Sequence, residues 1–447
     1  MKKKIKKMLG AALLAVIVAF SSSCSQQRDY GEEYNYETDC QHSYYCGVSF
    51  WKKVQSDGAG QYILKNRYIY YYNTEKKTMT PLCNKANCLH DMETDESRQD
   101  NCNAYAPVDK ISANKYIQYY DGYIYYVVND FEEKSLYRVK KDGSKKDKIF
   151  TTDNELNIDN WLIHRGYLYY AISYYYGEDE VNSKSMLKSL KLSSKMKEKD
   201  AKVIFESDEE HSVHGLYDLK AYKNYLCYNV EANTNNVEWT TIDSWFAQLY
   251  CPMYIYNIET GENREISVPE GYSETTNVSS VVFMKDKMLI KLYDNIQDME
   301  YKLPIYSMNY DLTDQKIWLD GVEQGKQVQP YYDYVVISDA KLHYETVTDD
   351  GIQSYVLKDE KPCTNVEIYS SDAEQVSYFV YPINKGFNGN FNGFGPDGVN
   401  VEFDEDDDSW SVYELRFEDV LNCKGEEVEL EKVSTRKFGT LNREDYF

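Results

Sequence analysis

Short runs of aromatic and β-branched residues recur along the chain and are separated by polar turns. Runs of this composition between Gly, Asn and Asp residues are typical of β-strands. One type of run is rich in Tyr, Ile, Leu and Val, and it begins at Tyr68, Tyr123, Tyr167, Tyr225, Met288, Tyr334 and Tyr378. A second strand often follows, as after the turn at Asp142-Gly143, a dipeptide that favours tight hairpins.

The regular recurrence of one strand type predicts an all-β fold built from repeats. Repeats of about 40–50 residues with several strands each indicate a β-propeller, and seven openings predict seven blades of four-stranded antiparallel sheets. Tyrosines on both faces of the strands suggest sheets that are packed on both sides. We therefore expect a single propeller domain over residues 40–447, and a pair of β-sandwiches is the rival architecture.

Two segments carry a family resemblance. The phrases YIYY at residues 123–126 and LYRVKKDGSKKDKIF at residues 136–150 resemble the repeats of TolB-like and DUF5050-type propeller lipoproteins of Gram-positive gut anaerobes. The segment from Thr80 to Tyr105, with CNKANCLHD and NCNAY, is similar to a cysteine-rich insert of clostridial relatives of that group. The resemblance implies a propeller fold and an envelope location, and it implies no activity.

The amino terminus has the composition of an export signal. Five lysines within residues 1–7 precede a short apolar run at residues 8–20 and three serines, which is the pattern of a secretory signal peptide. Cys24 directly after these small residues resembles a bacterial lipobox. We expect residues 1–23 to be removed and Cys24 to be lipidated. Residues 24–39 would then tether the protein to the extracytoplasmic face of the cell membrane, and plain secretion with a free cysteine is the alternative.

The charge of the chain limits the class of partner. Acidic residues number 74 against 50 basic ones, for a formal net charge of −24. Because phosphate contacts need clustered Lys and Arg, we expect no nucleic-acid partner.

Five of the ten cysteines lie within residues 40–102. Cys83, Cys88, His90 and Cys102 have the composition of a structural Cys₃His zinc site. Because an exported protein meets oxidising conditions, disulfides are the first interpretation of this cluster, and a structural metal site and free thiols are the alternatives. Cys40 and Cys46 are disulfide candidates that could pair with each other or with this insert, residues 83–105. Either interpretation predicts stapling of a polar loop and no catalysis.

Two further segments are candidates for ligand binding. Apolar residues at helical spacing predict a helical insertion over residues 233–250. We expect its apolar face to pack on its own blade, and the alternative is a ligand contact through Trp239 and Trp245. A glycine-rich loop at residues 384–400 precedes the acidic run 404–408. Calcium favours several oxygen ligands from a flexible loop, but Ser409 stands where an EF-hand has glycine. We therefore expect a mobile solvated loop here, and calcium binding is the alternative.

No common catalytic motif marks an enzyme, and neither G-x-S-x-G nor H-E-x-x-H is present. The sequence thus predicts a membrane-anchored binding or interaction module for an envelope protein, a glycan or a peptide. The alternatives are a scaffold subunit of an envelope complex and an extracytoplasmic glycoside hydrolase or lyase. The last needs only a carboxylate pair, which no sequence pattern singles out.

Overall fold

The structure is a computed structural model that describes residues 28–442 with internal gaps. The gaps are 36, 42–53, 66, 74, 77, 109–116, 130–133, 153–156, 177–181, 208–210, 235–248, 295–299, 342–343, 350–351, 358–362, 383–390, 396–397, 407–408 and 428–433. The chain divides into two compact units, Met1–Asn35 and Tyr36–Phe447. Within the described part of the first unit, the Gly31 N–H donates to Asp29 Oδ1 over 2.9 Å in a short turn. No helix among the described residues is long and apolar enough to cross a membrane.

The second unit begins with three four-stranded antiparallel sheets, each a meander of strands that are consecutive in the chain. Blade 1 contains β1 (Val54–Ser56), β2 (Gly60–Lys65), β3 (Tyr68–Asn73) and β4 (Thr78–Pro81). Blade 2 contains β5 (Ile117–Tyr120), β6 (Tyr123–Asn129), β7 (Lys134–Lys140) and β8 (Lys146–Thr152). Blade 3 contains β9 (Asn157–His164), β10 (Tyr167–Tyr176), β11 (Asn182–Lys191) and β12 (Lys202–Glu206).

Three more blades follow the same plan with small additions. Blade 4 contains β13 (His211–Tyr222), β14 (Tyr225–Thr234), β16 (Met253–Asn257) and β17 (Asn263–Glu265), and β15 (Leu249–Tyr250) pairs with β14. Blade 5 contains β18 (Thr276–Phe283), β19 (Met288–Asp294), β20 (Lys302–Met308) and β21 (Lys316–Glu323). Blade 6 contains β22 (Gln327–Tyr331), β23 (Tyr334–Lys341), β26 (Cys363–Ser370) and β27 (Gln375–Pro382), and the hairpin β24 (Tyr344–Asp349) and β25 (Ile352–Leu357) stands between β23 and β26.

The last part of the chain forms a further four-stranded sheet. It contains β28 (Phe391–Gly395), β29 (Gly398–Asp406), β30 (Ser409–Arg416) and β32 (Ser434–Asn442). Between β30 and β32 lie a short helix, Phe417–Leu421, and β31 (Lys424–Glu427), which pairs in parallel with β27 of blade 6.

The fold is therefore an all-β propeller of four-stranded antiparallel sheets, as predicted, but the described residues form six blades and the prediction of seven is wrong. The seven aromatic openings fall on six sheets, because Tyr334 in β23 and Tyr378 in β27 belong to the same blade. The hairpin β24–β25 adds residues between β23 and β26. As a result, β23 and β27 lie as far apart in the sequence as the openings of two successive repeats.

Aromatic side chains fill the spaces between neighbouring blades. From blade 1 to blade 6, each of the five junctions between consecutive blades contains a pair of rings whose centroids lie 5.4–6.0 Å apart. In chain order, these pairs are Tyr62–Tyr119, Phe150–Tyr170, Phe205–Tyr228, Tyr222–Phe283 and Trp318–Tyr369. Pairs at this distance are favourable beyond the apolar area they bury. Such pairs explain the tyrosine content, since strands packed on both faces need large side chains on both faces.

Side-chain amides link the first strands of consecutive blades. The first strands lie against one another, β1 beside β5, β5 beside β9 and β9 beside β13. The Tyr119 N–H donates to Gln55 Oε1 over 3.2 Å, and Asn160 Nδ2 donates to the carbonyl of Leu216 over 3.0 Å. These bonds satisfy backbone groups where no strand pairing is available.

Residues 37–41 bind to the equivalent turns of consecutive blades. The carbonyls of Glu37 and Thr38 accept the N–H groups of Asp121 and Arg165, each over 2.8 Å. Thr38 and Asp39 are both 1% exposed. The sequence places residues 37–39 in the flexible tether, so this boundary is wrong: the backbone is already fixed here by the turns that follow β5 and β9.

Candidate metal centre

The four candidate ligands lie in the insert that follows β4. Cys83 and Cys88 precede a short 3₁₀ helix, His90–Met92, in which His90 has a positive φ of 55°. A one-turn helix, Glu96–Gln99, follows, and the Asp95 side chain caps it by accepting the Ser97 N–H over 3.0 Å. Cys102 comes three residues after this helix. These two turns fold the polar loop back on itself and return Cys102 to the start of the insert.

The structure brings all four predicted side chains to one point. The Sγ atoms of Cys83, Cys88 and Cys102 and a ring nitrogen of His90 all lie within 4.8 Å of one another. Cys102 Sγ lies 3.7 Å from His90 Nδ1. A tetrahedral zinc ion with ordinary bond lengths separates its ligand atoms by about 3.5–3.8 Å. The donor set and its spacing therefore fit a zinc ion with little movement of the side chains.

The insert is attached to blade 1 through backbone bonds at the start of β3. The Ile69 N–H donates to the carbonyl of Ala104 over 2.8 Å, and the Ala106 N–H donates to the carbonyl of Arg67 over 2.6 Å. Tyr70 Oη donates to Asp91 Oδ2 over 2.8 Å. Cys102 is buried at 2% exposure in the core between blades 1 and 2, while the other three ligands are half-buried.

The local environment affects the three thiols differently. Burial raises the pKa of the Cys83 thiol. Backbone N–H groups of Lys85 and Asn103 and hydrogen bonds from the neighbouring thiols lower this pKa by a larger amount, so the net shift is downward. Burial raises the pKa of Cys102, and the neighbouring sulfur atoms add to this shift. Cys83 therefore ionises more readily than an ordinary thiol, whereas Cys102 needs a nearby cation to become a thiolate.

The cysteines of the centre are free thiols in the structure. A disulfide would use two sulfur atoms and would not require a histidine between them, whereas a Cys₃His metal site uses all four groups. The geometry therefore favours the metal interpretation. Cys46 lies outside the described residues, so the predicted pairing of Cys40 with Cys46 stays a prediction. Cys227 is fully buried in β14.

Other candidates fall partly or wholly outside the described residues. Cys24, Trp239 and Trp245 are among those not described. The helix predicted over residues 233–250 is wrong at both ends, because β14 continues to Thr234 and Leu249–Tyr250 pairs with it as a strand. The predicted glycine-rich and acidic loop is also wrong in part, since Phe391–Gly395 and Gly398–Asp406 are strands. The calcium interpretation of this segment stays a prediction.

Two residues of blade 2 that contact the insert are not predicted from the sequence. Gly143 and Lys146 lie at the turn between β7 and β8, about 40 positions after the last ligand along the chain. Gly143 bonds to Asn103, which follows Cys102, and Lys146 bonds to the carbonyl of Cys102 itself. The Asp-Gly pair gives a signal for a turn only, and no sequence pattern indicates what the turn contacts.

Comparisons with known proteins reveal similarity at the level of structure alone. No family model matches the chain, and no curated protein matches it. Among solved structures, TolB from Acinetobacter baumannii has a TM-score of 0.32 at 11% identity, with 81% of this chain and 75% of that chain covered. A dipeptidyl aminopeptidase IV from Bacteroides ovatus has a TM-score of 0.43 at 9% identity, covering 93% and 64%. The tricorn protease has a TM-score of 0.41 at 11% identity, covering 93% and 41%. The chain thus spans less than two thirds of the length of both peptidases.

Proposed function

We propose that Cys83, Cys88, His90 and Cys102 bind one structural zinc ion in a membrane-anchored, extracytoplasmic propeller that acts as a binding module. The observation that carries the zinc proposal is the convergence of three sulfur atoms and an imidazole nitrogen within 4.8 Å of one another. Four protein ligands complete a tetrahedral shell and leave no position for water, which is the arrangement of structural zinc. The ion would hold closed a polar loop that has no apolar core of its own.

Metal content of the purified protein tests this proposal. We expect one zinc per chain by inductively coupled plasma mass spectrometry, and we expect Cys83→Ser to lose it. Cys251→Ser is the matched control, because Cys251 is a half-buried free thiol outside the centre. Replacement by Co²⁺ should give the absorption of a tetrahedral site with thiolate ligands. A protein without metal whose peptide map contains disulfides among Cys83, Cys88 and Cys102 would contradict the proposal.

The anchoring part of the proposal rests on the sequence of the amino terminus. Cleavage before Cys24 and acylation of its sulfur would hold the protein on the membrane, since more than one acyl chain gives stable attachment. Mass spectrometry of the amino-terminal peptide from cell membranes should find a diacylglyceryl group on Cys24. Cys24→Ala should release the protein from the membrane fraction, and an unmodified Cys24 in membrane-bound protein would contradict this part.

The binding part follows from the fold and the charge. A propeller gathers loops from all its blades into a concave surface, which suits ligand binding, and a net charge of −24 disfavours nucleic acid. The partner would be an envelope protein, a glycan or a peptide. Crosslinking on intact cells should recover one envelope protein repeatedly if the chain is a scaffold subunit. A glycan and peptide binding screen tests the other partners, and Trp239→Ala and Trp245→Ala test the predicted contact residues.

A further inference from the structure

The turn between β7 and β8 of blade 2 contacts the metal-binding insert of blade 1. The carbonyl of Gly143 accepts the Asn84 N–H over 3.3 Å and Asn103 Nδ2 over 2.8 Å. Each donor is the neighbour of a candidate ligand, Cys83 or Cys102. Gly143 has a φ of 69°, and a Cβ atom there would lie 2.8 Å from the backbone N of Cys83. Only glycine therefore permits this approach.

Lys146 holds the other end of the ligand loop. Its Nζ donates to the carbonyls of Cys102 over 2.8 Å, Asp100 over 3.0 Å and Tyr105 over 3.4 Å. An ammonium group has three donors, and all three are directed to backbone on either side of Cys102. Lys85 Nζ donates to the carbonyl of Asn101 in the same loop. The backbone around the buried thiol is thus fixed by a cation that comes from the next blade.

The charge of Lys146 also complements the loaded centre. Three thiolates and a neutral imidazole around a divalent ion leave a net charge of −1, and part of this charge is buried with Cys102. A half-buried ammonium that contacts the Cys102 backbone offsets this charge at short range, where solvent screening is weak. Lys145, the preceding residue, is instead exposed and pairs with Asp147 over 2.8 Å.

We infer that Lys146 is a positioning residue of the zinc centre, and that blade 2 thereby determines how tightly the insert of blade 1 holds its metal. This inference rests on the proposed zinc site. Groups that orient metal ligands from outside the coordination shell commonly change metal affinity by about 10–100-fold when they are removed.

Competition for zinc against a chromophoric chelator tests the inference. We expect Lys146→Met to weaken zinc affinity by about 10–100-fold, and Lys146→Arg, which keeps the charge, to recover part of it. Lys146→Gln keeps two N–H donors without the charge, so it separates hydrogen bonding from electrostatics and serves where Lys146→Met is unstable. Lys145→Met is the matched control and should bind zinc as the wild type does. The Co²⁺ absorption bands should shift for Lys146→Met and not for the control.

The outcomes distinguish the two proposals. A wild-type protein that binds no zinc would overturn both of them. A wild type that binds zinc, with Lys146→Met and Lys145→Met equal to it in affinity and in Co²⁺ spectrum, would overturn only the role of Lys146. A loss of thermal stability in Lys146→Met that is the same with and without zinc, at unchanged affinity, would likewise assign Lys146 to folding alone.

Discussion

The side-chain amide of Gln118 pairs with both backbone groups of Ile163 in the next blade. Gln118 Nε2 donates to the Ile163 carbonyl over 2.5 Å, and the Ile163 N–H donates to Gln118 Oε1 over 2.8 Å. Gln118 is in β5 and fully buried, and Ile163 is in β9. The amide thus acts as one more peptide unit, which joins two first strands that do not pair directly.

Replacement of this amide should destabilise the junction of blades 2 and 3. Gln118→Leu keeps the approximate volume but leaves the Ile163 N–H and carbonyl buried without this partner, at a cost of about 1–3 kcal/mol for each unsatisfied group. The free energy of unfolding from denaturant titration should fall accordingly. Gln375→Leu, at an exposed amide in β27, should change little. Equal stabilities of the two variants would show that the pairing contributes nothing.

Much of the fold follows from local sequence, but the blade count does not. The aromatic runs predict strands because composition and alternation act within a few residues. Tyr334 and Tyr378 look like openings of separate repeats, yet a hairpin insertion places both in one sheet. Pairing between strands that are distant in sequence depends on which loop is an insertion. The composition of the loops does not indicate which one it is.

The metal centre was predictable only for residues close together in the chain. Three cysteines and a histidine within residues 83–102 are sufficient to indicate zinc or disulfide chemistry. The choice between them depends on whether His90 reaches the sulfur atoms, which needs coordinates. Gly143 and Lys146 come from the neighbouring blade, so their contact with the insert is a consequence of how blades 1 and 2 pack.

The buried ion pair of Asp39 and Arg165 should contribute strongly to stability. Arg165 Nε donates to Asp39 Oδ1 over 2.8 Å and Arg165 Nη2 donates to Asp39 Oδ2 over 3.1 Å, with both side chains at most 2% exposed. Removal of one partner leaves an uncompensated buried charge, which costs about 3–5 kcal/mol. We expect Asp39→Asn to lower the free energy of unfolding by this amount.

A matched pair on the surface provides the control for Asp39→Asn. Asp314 and Lys316 are exposed and lie 3.2 Å apart, and exposed pairs contribute little. Asp314→Asn should therefore leave the denaturation midpoint almost unchanged. If Asp39→Asn were equally neutral, the buried ion pair would contribute nothing to folding stability.

Folding stability should fall as the pH is lowered through the ordinary titration range of histidine. His164 is buried, its Nδ1 accepts the Cys40 N–H over 3.0 Å, and burial lowers its pKa below the usual 6.5. The unfolded chain therefore binds a proton at a higher pH than the folded chain. Stability is fully present above about pH 6.5 and decreases as the pH falls toward the folded pKa. Denaturant titrations between pH 7.5 and 5.5 should show this slope, and it should be smaller in His164→Asn. An equal slope in both proteins would assign the pH dependence to other groups.

Removal of metal should destabilise the protein through the Cys₃His centre alone. A ligand that binds only the folded state stabilises it by about 4 kcal/mol at a thousandfold excess over its dissociation constant, so a strong chelator should lower the melting temperature of the wild type. Cys102→Ser lacks a ligand that is 2% exposed and should melt at the same temperature with and without chelator. Cys251→Ser should respond to the chelator as the wild type does. Calorimetry at fixed protein concentration measures all three proteins. If chelator left the wild type unchanged while added zinc raised the melting temperature of Cys102→Ser, the stabilising metal would lie elsewhere in the chain.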